Sequence, residues 1–237
     1  MNLKITGAVA KDRPVLLVAN HSSWLDIPVI SAVAPVSFIA KKEVGGWPGV
    51  SALANLQRTV FVDREKRLSV AETAREIKSR LNAGDTLVLF AEGTSTDGNR
   101  VLPFKTSLFA AVKPGRGAGA QVANEQMTTD RQSREQSKNE PVVQTLTLVY
   151  TRLHGVPLGR HDRPLIGWFG DMDMIPHAWQ LLKAGPVDVE IHLGAPAPLE
   201  DFKDRKHLAR QTESEIRTTF LGVTRGLNVT PKPSTAA

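Results

Sequence analysis

The segment Asn20-His21-Ser22-Ser23-Trp24-Leu25-Asp26 sets a histidine and an aspartate at H-x4-D spacing, directly after the apolar run Val15-Leu16-Leu17-Val18. Further along, Leu89-Phe90-Ala91-Glu92-Gly93-Thr94 repeats the arrangement, a polar cluster closing an apolar run. An aspartate bonded to one ring nitrogen of a histidine fixes the tautomer and steadies the imidazolium. The other nitrogen can then accept a proton from a substrate hydroxyl. On a regular helix, positions five apart sit roughly 140° apart, so His21 and Asp26 cannot share one face. They meet if His21 lies in the turn before a helix and Asp26 in its first turns. Asn20, Ser22 and Ser23 suit that turn and its cap.

The nucleophile is constrained by what the chain lacks. It has no cysteine, which rules out an acyl-cysteine intermediate, disulfides and thiolate metal sites. A serine nucleophile usually sits in a G-x-S-x-G elbow, and Gly93-Thr94-Ser95-Thr96-Asp97 misses it at the last position. A histidine–aspartate pair without its own nucleophile suits direct attack by an acceptor alcohol on an activated acyl group such as a thioester. The enzyme then supplies a base, alignment and oxyanion stabilisation. Water as acceptor would make an esterase or thioesterase, and the missing elbow counts against it. Taken singly, a histidine is more often a capping or hydrogen-bonded residue. The remaining histidines (His154, His161, His177, His192, His207) show no metal-ligand spacing.

These clusters need strands that end beside one another. Pro14–Ala19 reads as a buried strand, Ser37–Ala40 and Thr59–Val62 as two short ones, and Thr86–Ala91 as another. Lys66–Ala83 reads as a helix on the stripe Leu68, Ala71, Ala74, Ile77, Leu81, stopped by Gly84. Thr106–Val112 reads as a short helix, Val142–Tyr150 as a central strand, Leu165–Phe169 as a strand and His177–Ala184 as a helix. Val187–Leu193 alternates as a strand, and Asp201–Leu221 is a charged amphipathic helix. The alternation predicts an α/β fold with a central sheet. The stretch 114–140 is rich in Gly, Gln, Asn, Ser and Arg and reads as a surface insertion. Residues 230–237 read as a disordered tail, which leaves 1–229 as a single expected domain.

Composition limits the partners. The chain has 237 residues, 41% hydrophobic, with a formal net charge of +6 and a pI near 9.7. Such a balance favours anionic lipid, an acidic carrier protein or nucleic acid. With one tyrosine and no basic-aromatic motif, a nucleic-acid module is disfavoured. The uncharged stretch Ile27–Ala40 holds 14 residues including Pro28 and Pro35. A membrane span needs roughly 20 apolar residues, so this stretch suits a buried or interfacial segment. Met1–Ala10 lacks the apolar core of a signal peptide. The Trp47-Pro48 loop could place an indole at a membrane interface.

Together the two clusters resemble the core motifs of the glycerolipid acyltransferases, the family of 1-acylglycerol-3-phosphate acyltransferase, from about Gly7 to Pro198. The resemblance implies a mixed central sheet flanked by helices and makes His21 and Asp26 catalytic. It gives Lys42-Glu43 through Val60-Phe61-Val62-Asp63-Arg64 as a second motif, with Arg64 and Arg58 candidates for the acceptor headgroup. It assigns Glu92, Gly93 and Thr94 to the acceptor site, and Leu148-Val149-Tyr150 to the place of an apolar fourth motif whose usual proline is missing. It implies a lyso-lipid acceptor, acyl-CoA or acyl carrier protein as donor, and no metal or organic cofactor.

Two departures refine it. Ser95 stands where the third motif commonly has arginine, which weakens the case for a phosphate monoester. With Asp97-Gly98-Asn99-Arg100, Tyr150–Gly155 and Trp168–Met172, the chain resembles the lyso-ornithine lipid acyltransferase branch. The alternative is a 1-acyl-sn-glycerol-3-phosphate acyltransferase making phosphatidic acid. The family also usually carries an apolar anchor before the first motif. Here His21 comes almost at once, so the expectation is the cytoplasmic face of the inner membrane, peripheral or anchored by a segment absent from this chain.

Overall fold

The computed structural model describes residues 1–41, 59–62, 67–111 and 140–229. Arg58, Arg64, the Lys42-Glu43 and Trp47-Pro48 positions, the insertion from 114 to 139 and the tail from 230 lie outside the described residues.

Among the described residues, nine strands form one mixed sheet. The strands are β1 (Asn2–Thr6), β2 (Val15–Ala19), β3 (Ser37–Lys41), β4 (Val60–Val62), β5 (Thr86–Phe90), β6 (Val142–Leu153), β7 (Val156–Pro157), β8 (Val187–Leu193) and β9 (Ala197–Pro198). The main path runs β1-β8-β6-β2-β5-β3-β4, with β7 and β9 paired to β6. Strand β2 is central and parallel to both neighbours, β5 and β6. Every residue of β2 is buried, as expected for a strand covered on both faces, which reads as a continuous apolar run. The antiparallel β6–β8 pair makes the sheet mixed.

Helices close both faces. α1 (Asp26–Ser31) and α3 (Met174–Ala184) cover the face carrying Leu17, Ala19, Leu148 and Tyr150, through Val29, Ile30 and Leu181. α2 (Arg67–Asn82) and α4 (Arg205–Thr224) cover the other, through Ile77, Leu81, Leu208, Ile216 and Phe220. Pro28 and Pro176 fall in first turns, where a missing N–H costs little. Asp204 caps α4, accepting from the backbone of Lys206 and His207.

The sequence reading needs two corrections and one refinement. Leu165–Phe169 is not a strand: Arg163–Leu165 forms a 3-10 turn and an irregular segment follows. Pro164 lacks a donor, Ile166 and Gly167 bond back to Arg163, and Trp168 N donates to Ser22 O at 2.8 Å. Those groups are thereby committed to turns and to the His21 loop instead of a ladder. The short helix expected over Thr106–Val112 is present as a 3-10 helix over Thr106–Ala111. Strand β1 went unforeseen, because an edge strand exposed almost throughout shows no apolar alternation.

Candidate active site

The two polar clusters meet because β2 and β5 are adjacent and parallel, with Ala19 opposite Phe90. Residues just past the carboxyl ends of such strands share one crevice, the usual ligand position in open α/β sheets. His21 leaves β2 and Glu92 leaves β5 at that edge.

Asp26 is the first residue of α1, and His21 lies in the turn before it. His21 Nδ1 and Asp26 Oδ2 are 2.8 Å apart. The same oxygen accepts from Ser22 N at 2.7 Å and Ser23 N at 3.1 Å. Oδ1 accepts from Tyr150 Oη at 2.7 Å and Ser22 Oγ at 3.4 Å. Asp26 is 0% exposed, so these donors replace water around its carboxylate. As a carboxylate has only acceptors to offer, Nδ1 is the protonated ring nitrogen. Among the described residues Nε2 has no partner, and the ring lies stacked on Phe90 with centroids 4.0 Å apart.

Strand β6 supports this turn where β2 has ended. Ala19 pairs with Leu146, and β6 runs on to Leu153. Asn20 does not cap the helix. Its side chain donates to Leu148 O and accepts from Leu148 N, both at 2.9 Å, in place of a ladder rung that β2 no longer supplies. Two residues on, Tyr150 reaches Asp26. Burial first, and then the Asp26 charge, push the Tyr150 hydroxyl well above its ordinary value, so it remains a donor.

Glu92 is 1% exposed. Its oxygens accept from His21 N at 2.8 Å and Leu102 N at 2.7 Å. The resemblance gives Glu92 to the acceptor site; in the structure both of its oxygens bond loop backbone. Burial raises its pKa to about 7, against the lowering effect of those two backbone donors. Gly93 has φ of 72° and donates to Phe90 O at 3.1 Å, a turn glycine tolerates without strain. Thr94 is exposed past that turn. Ser95 Oγ donates to Trp168 O, which directs it at the protein. Thr96 N donates to His21 O at 3.1 Å.

The contacts that Tyr150, Trp168 and His177 make at this site were not foreseen from the sequence. Trp24 Nε1 donates to His177 Nδ1 at 3.0 Å, and His177 Nε2 lies 3.2 Å from Leu165 O. An indole only donates and a carbonyl only accepts, so this ring is held as the neutral Nε2–H tautomer. It fastens α3 to the His21 turn. For Tyr150 the signals were its place in the fourth-motif segment and its being the only tyrosine of the chain. A cavity of about 830 Å³ lies elsewhere, between β6, β8 and α4, and neither His21, Asp26 nor Glu92 lines it.

The arrangement can deprotonate a hydroxyl presented to Nε2. Among the described residues no group of three or more metal-ligating side chains occurs.

Residues 2–118 match the family model described as Acyltransferase. The chain is 46% identical over 215 residues to a lyso-ornithine lipid O-acyltransferase of Brucella abortus (strain 2308), covering 91% of this chain and 74% of that one. It is 38% identical over 217 residues to the enzyme of the same name from Rhizobium meliloti (strain 1021), covering 92% and 68%. In fold it resembles the crystal structure of the 1-acyl-sn-glycerophosphate (LPA) acyltransferase PlsC from Thermotoga maritima. That match has a TM-score of 0.60 at 23% identity over 94% of this chain and 72% of that one.

Proposed function

Because the chain belongs to the acyltransferase family, we propose that it moves a fatty acyl group from a thioester to the 3-hydroxy group of lyso-ornithine lipid. The observation that carries this reading is the His21–Asp26 pair, with Nδ1 held at 2.8 Å by a fully buried carboxylate and Nε2 unpartnered among the described residues. His21 Nε2 takes the proton of the acceptor hydroxyl as its oxygen attacks the thioester carbonyl carbon. The tetrahedral intermediate collapses with loss of the thiolate, which recovers the proton from the imidazolium. Asp26 orients the ring and offsets its charge. Tyr150 and the Ser22–Ser23 backbone hold Asp26, and Glu92 clamps the His21 and Leu102 backbones together.

Thr94 and the Gly93 turn would touch the acceptor, with Arg58 and Arg64 as headgroup partners. Ser95 favours an acceptor without a phosphate monoester. A serine whose hydroxyl is given to Trp168 O offers no guanidinium fork. The relatives that match over most of the chain carry the lyso-ornithine name, which supports the same choice. Acyl carrier protein or coenzyme A would deliver the acyl group, and association with the membrane would be peripheral. No described helix is long and apolar enough to cross a membrane.

A competition assay tests the assignment. Labelled acyl thioester, on acyl carrier protein or on coenzyme A, is supplied with equal lyso-ornithine lipid and lysophosphatidic acid. Label on lyso-ornithine lipid is expected. Label on lysophosphatidic acid would overturn the acceptor assignment and leave the mechanism standing. Loss of thioester without any labelled lipid would point to hydrolysis.

A further inference from the structure

Helix α3 has two apolar faces and uses one. His177 and Leu181 turn inward. Ile175, Trp179 and Leu182 are 79%, 61% and 73% exposed. At about 100° per residue these three fall within an arc of roughly 60°, so they form one outward row. Two other elements add to the same side. Leu3 and Ile5 of edge strand β1 lie opposite Val189 and Ile191, whose side chains belong to the core that Leu181 of α3 joins. Both are exposed. Exposed Val156 follows His154, whose ring packs against Gly185 at the end of α3.

We propose that this side of the molecule docks on a lipid bilayer bearing anionic headgroups. A contiguous row of large apolar side chains exposed on one helix face marks an interaction site. Its composition fits an interface: an indole, aliphatic neighbours, and Lys183 with Nζ 5.1 Å from the Trp179 ring centroid. The ammonium stands at the edge of the row, where headgroup phosphates would lie, and the chain's net charge of +6 adds to the attraction.

Position makes the bilayer the occupant rather than a protein. The Trp24–His177–Leu165 chain and the Trp168 N to Ser22 O bond tie α3 and the segment before it to the His21 turn. A membrane touching Ile175, Trp179 and Leu182 therefore rests on the helix whose inner face is fastened to the His21 turn, and on this proposal the acceptor enters from the membrane. This last step rests on the reading that the acceptor is a lipid.

The test uses the full chain in sedimentation with vesicles of phosphatidylethanolamine and phosphatidylglycerol. The double variant Trp179→Ser/Leu182→Ser is expected to lose about tenfold or more in vesicle partition, as two large apolar contacts are removed. Its turnover of a short-chain, water-soluble acceptor should match wild type, which also shows that it folds. Lys183→Glu should weaken binding to phosphatidylglycerol vesicles and leave binding to phosphatidylcholine vesicles unchanged. Unaltered vesicle binding in the double variant would overturn the proposal. A shift in self-association with vesicle binding intact would overturn it too, in favour of a second copy of the chain. Wild-type protein that binds vesicles through this row yet acylates no lyso-lipid would defeat the functional reading alone.

Discussion

Among the described residues there are two histidine–carboxylate pairs, and only one has the arrangement that the proposed base needs. At the carboxyl end of β2, His21 Nδ1 lies 2.8 Å from Asp26 Oδ2 across a turn. On β8, His192 Nε2 lies 3.2 Å from Glu190 Oε2, two residues apart on one face of the strand. The first carboxylate is held by four further hydrogen bonds from the protein interior. The second is partly exposed and shared with the mobile end of Lys4 at 3.0 Å. The other nitrogens differ as well. His21 Nε2 belongs to a partly exposed ring, whereas His192 Nδ1 is buried without a partner among the described residues. A pair becomes a base when its carboxylate is fixed and its distal nitrogen can meet a substrate; proximity alone does not make one.

The largest predicted effect separates the two pairs directly. His21→Ala should lower kcat by about 10²–10⁴, the usual worth of a general base, and His192→Ala should leave kcat near wild type. Equal losses in a steady-state assay, at matched folded fraction, would erase the distinction. Asp26→Asn should approach the His21 loss. An amide either turns its NH2 toward Nδ1–H and the Ser22 and Ser23 N–H groups, or toward Tyr150 Oη and Ser22 Oγ, and in both orientations the charge that offsets the imidazolium is gone.

The next effect contrasts the buried carboxylates of the site with the outer one through pH. The Glu92 pKa is raised to about 7 by burial. Between its unfolded value of 4.5 and about 7, the folded chain holds more protons than the unfolded chain. Stability from this group is therefore full below pH 4.5 and is lost as pH rises through about 7. At about 1.4 kcal/mol per pKa unit the loss is roughly 3 kcal/mol. Glu92→Gln cannot ionise. Urea unfolding at pH 4.5 and pH 8 should show the stability of Glu92→Gln relative to wild type improving by that order. A constant difference would mean that Glu92 titrates as it would in water.

Much of this corner is legible in the sequence because its central contact is short-range. His21 and Asp26 are five apart, and cap-forming residues between them permit a turn that joins them. The apolar runs Val15–Val18 and Thr86–Phe90 are long enough to announce strands, and their polar ends announce the crevice. The contacts that brace the dyad are another matter. Tyr150 and Asp26 are 124 residues apart, and Asn20 and Leu148 are 128 apart. They depend on β6 overrunning β2, a register that no local pattern encodes. Nor does the pattern Leu165–Phe169 betray that its backbone serves the His21 loop. Edge strand β1 is invisible for the opposite reason, since it buries too little to imprint an alternation.

Tyr150→Phe tests whether the bracing from β6 matters to chemistry. The hydroxyl donates to a buried carboxylate, a bond worth about 1.5–3 kcal/mol. If part of that is needed to hold the ring, kcat should fall by about tenfold with KM unchanged, since tenfold corresponds to about 1.4 kcal/mol. A stability loss with kcat intact would make Tyr150 structural only. The equivalent cut at the other pair, Lys4→Ala, should change neither kcat nor KM.

The smallest effect carries the opposite sign to that of Glu92. Burial alone would raise the Glu190 pKa, but Lys4 and His192 outweigh it and hold the carboxyl below its ordinary range. Its stability is present above the unfolded value of 4.5 and disappears as pH falls through the lower folded value. Solvent and salt screen an ion pair whose lysine is this exposed, so the contribution should be about 0.2–1 kcal/mol. Urea unfolding of Glu190→Gln and wild type at pH 6 and pH 3.5 should show wild type losing this advantage in acid, and less of it at high salt. One carboxylate would then weaken the fold as pH rises and the other as pH falls, within one sheet. The direction follows from which influence wins: burial prevails over two backbone N–H donors at Glu92, and Lys4 with His192 prevail over burial at Glu190. If Glu190→Gln instead removed activity, the outer pair would be coupled to the catalytic edge through β8 and β6, and the separation drawn between the two pairs would fail.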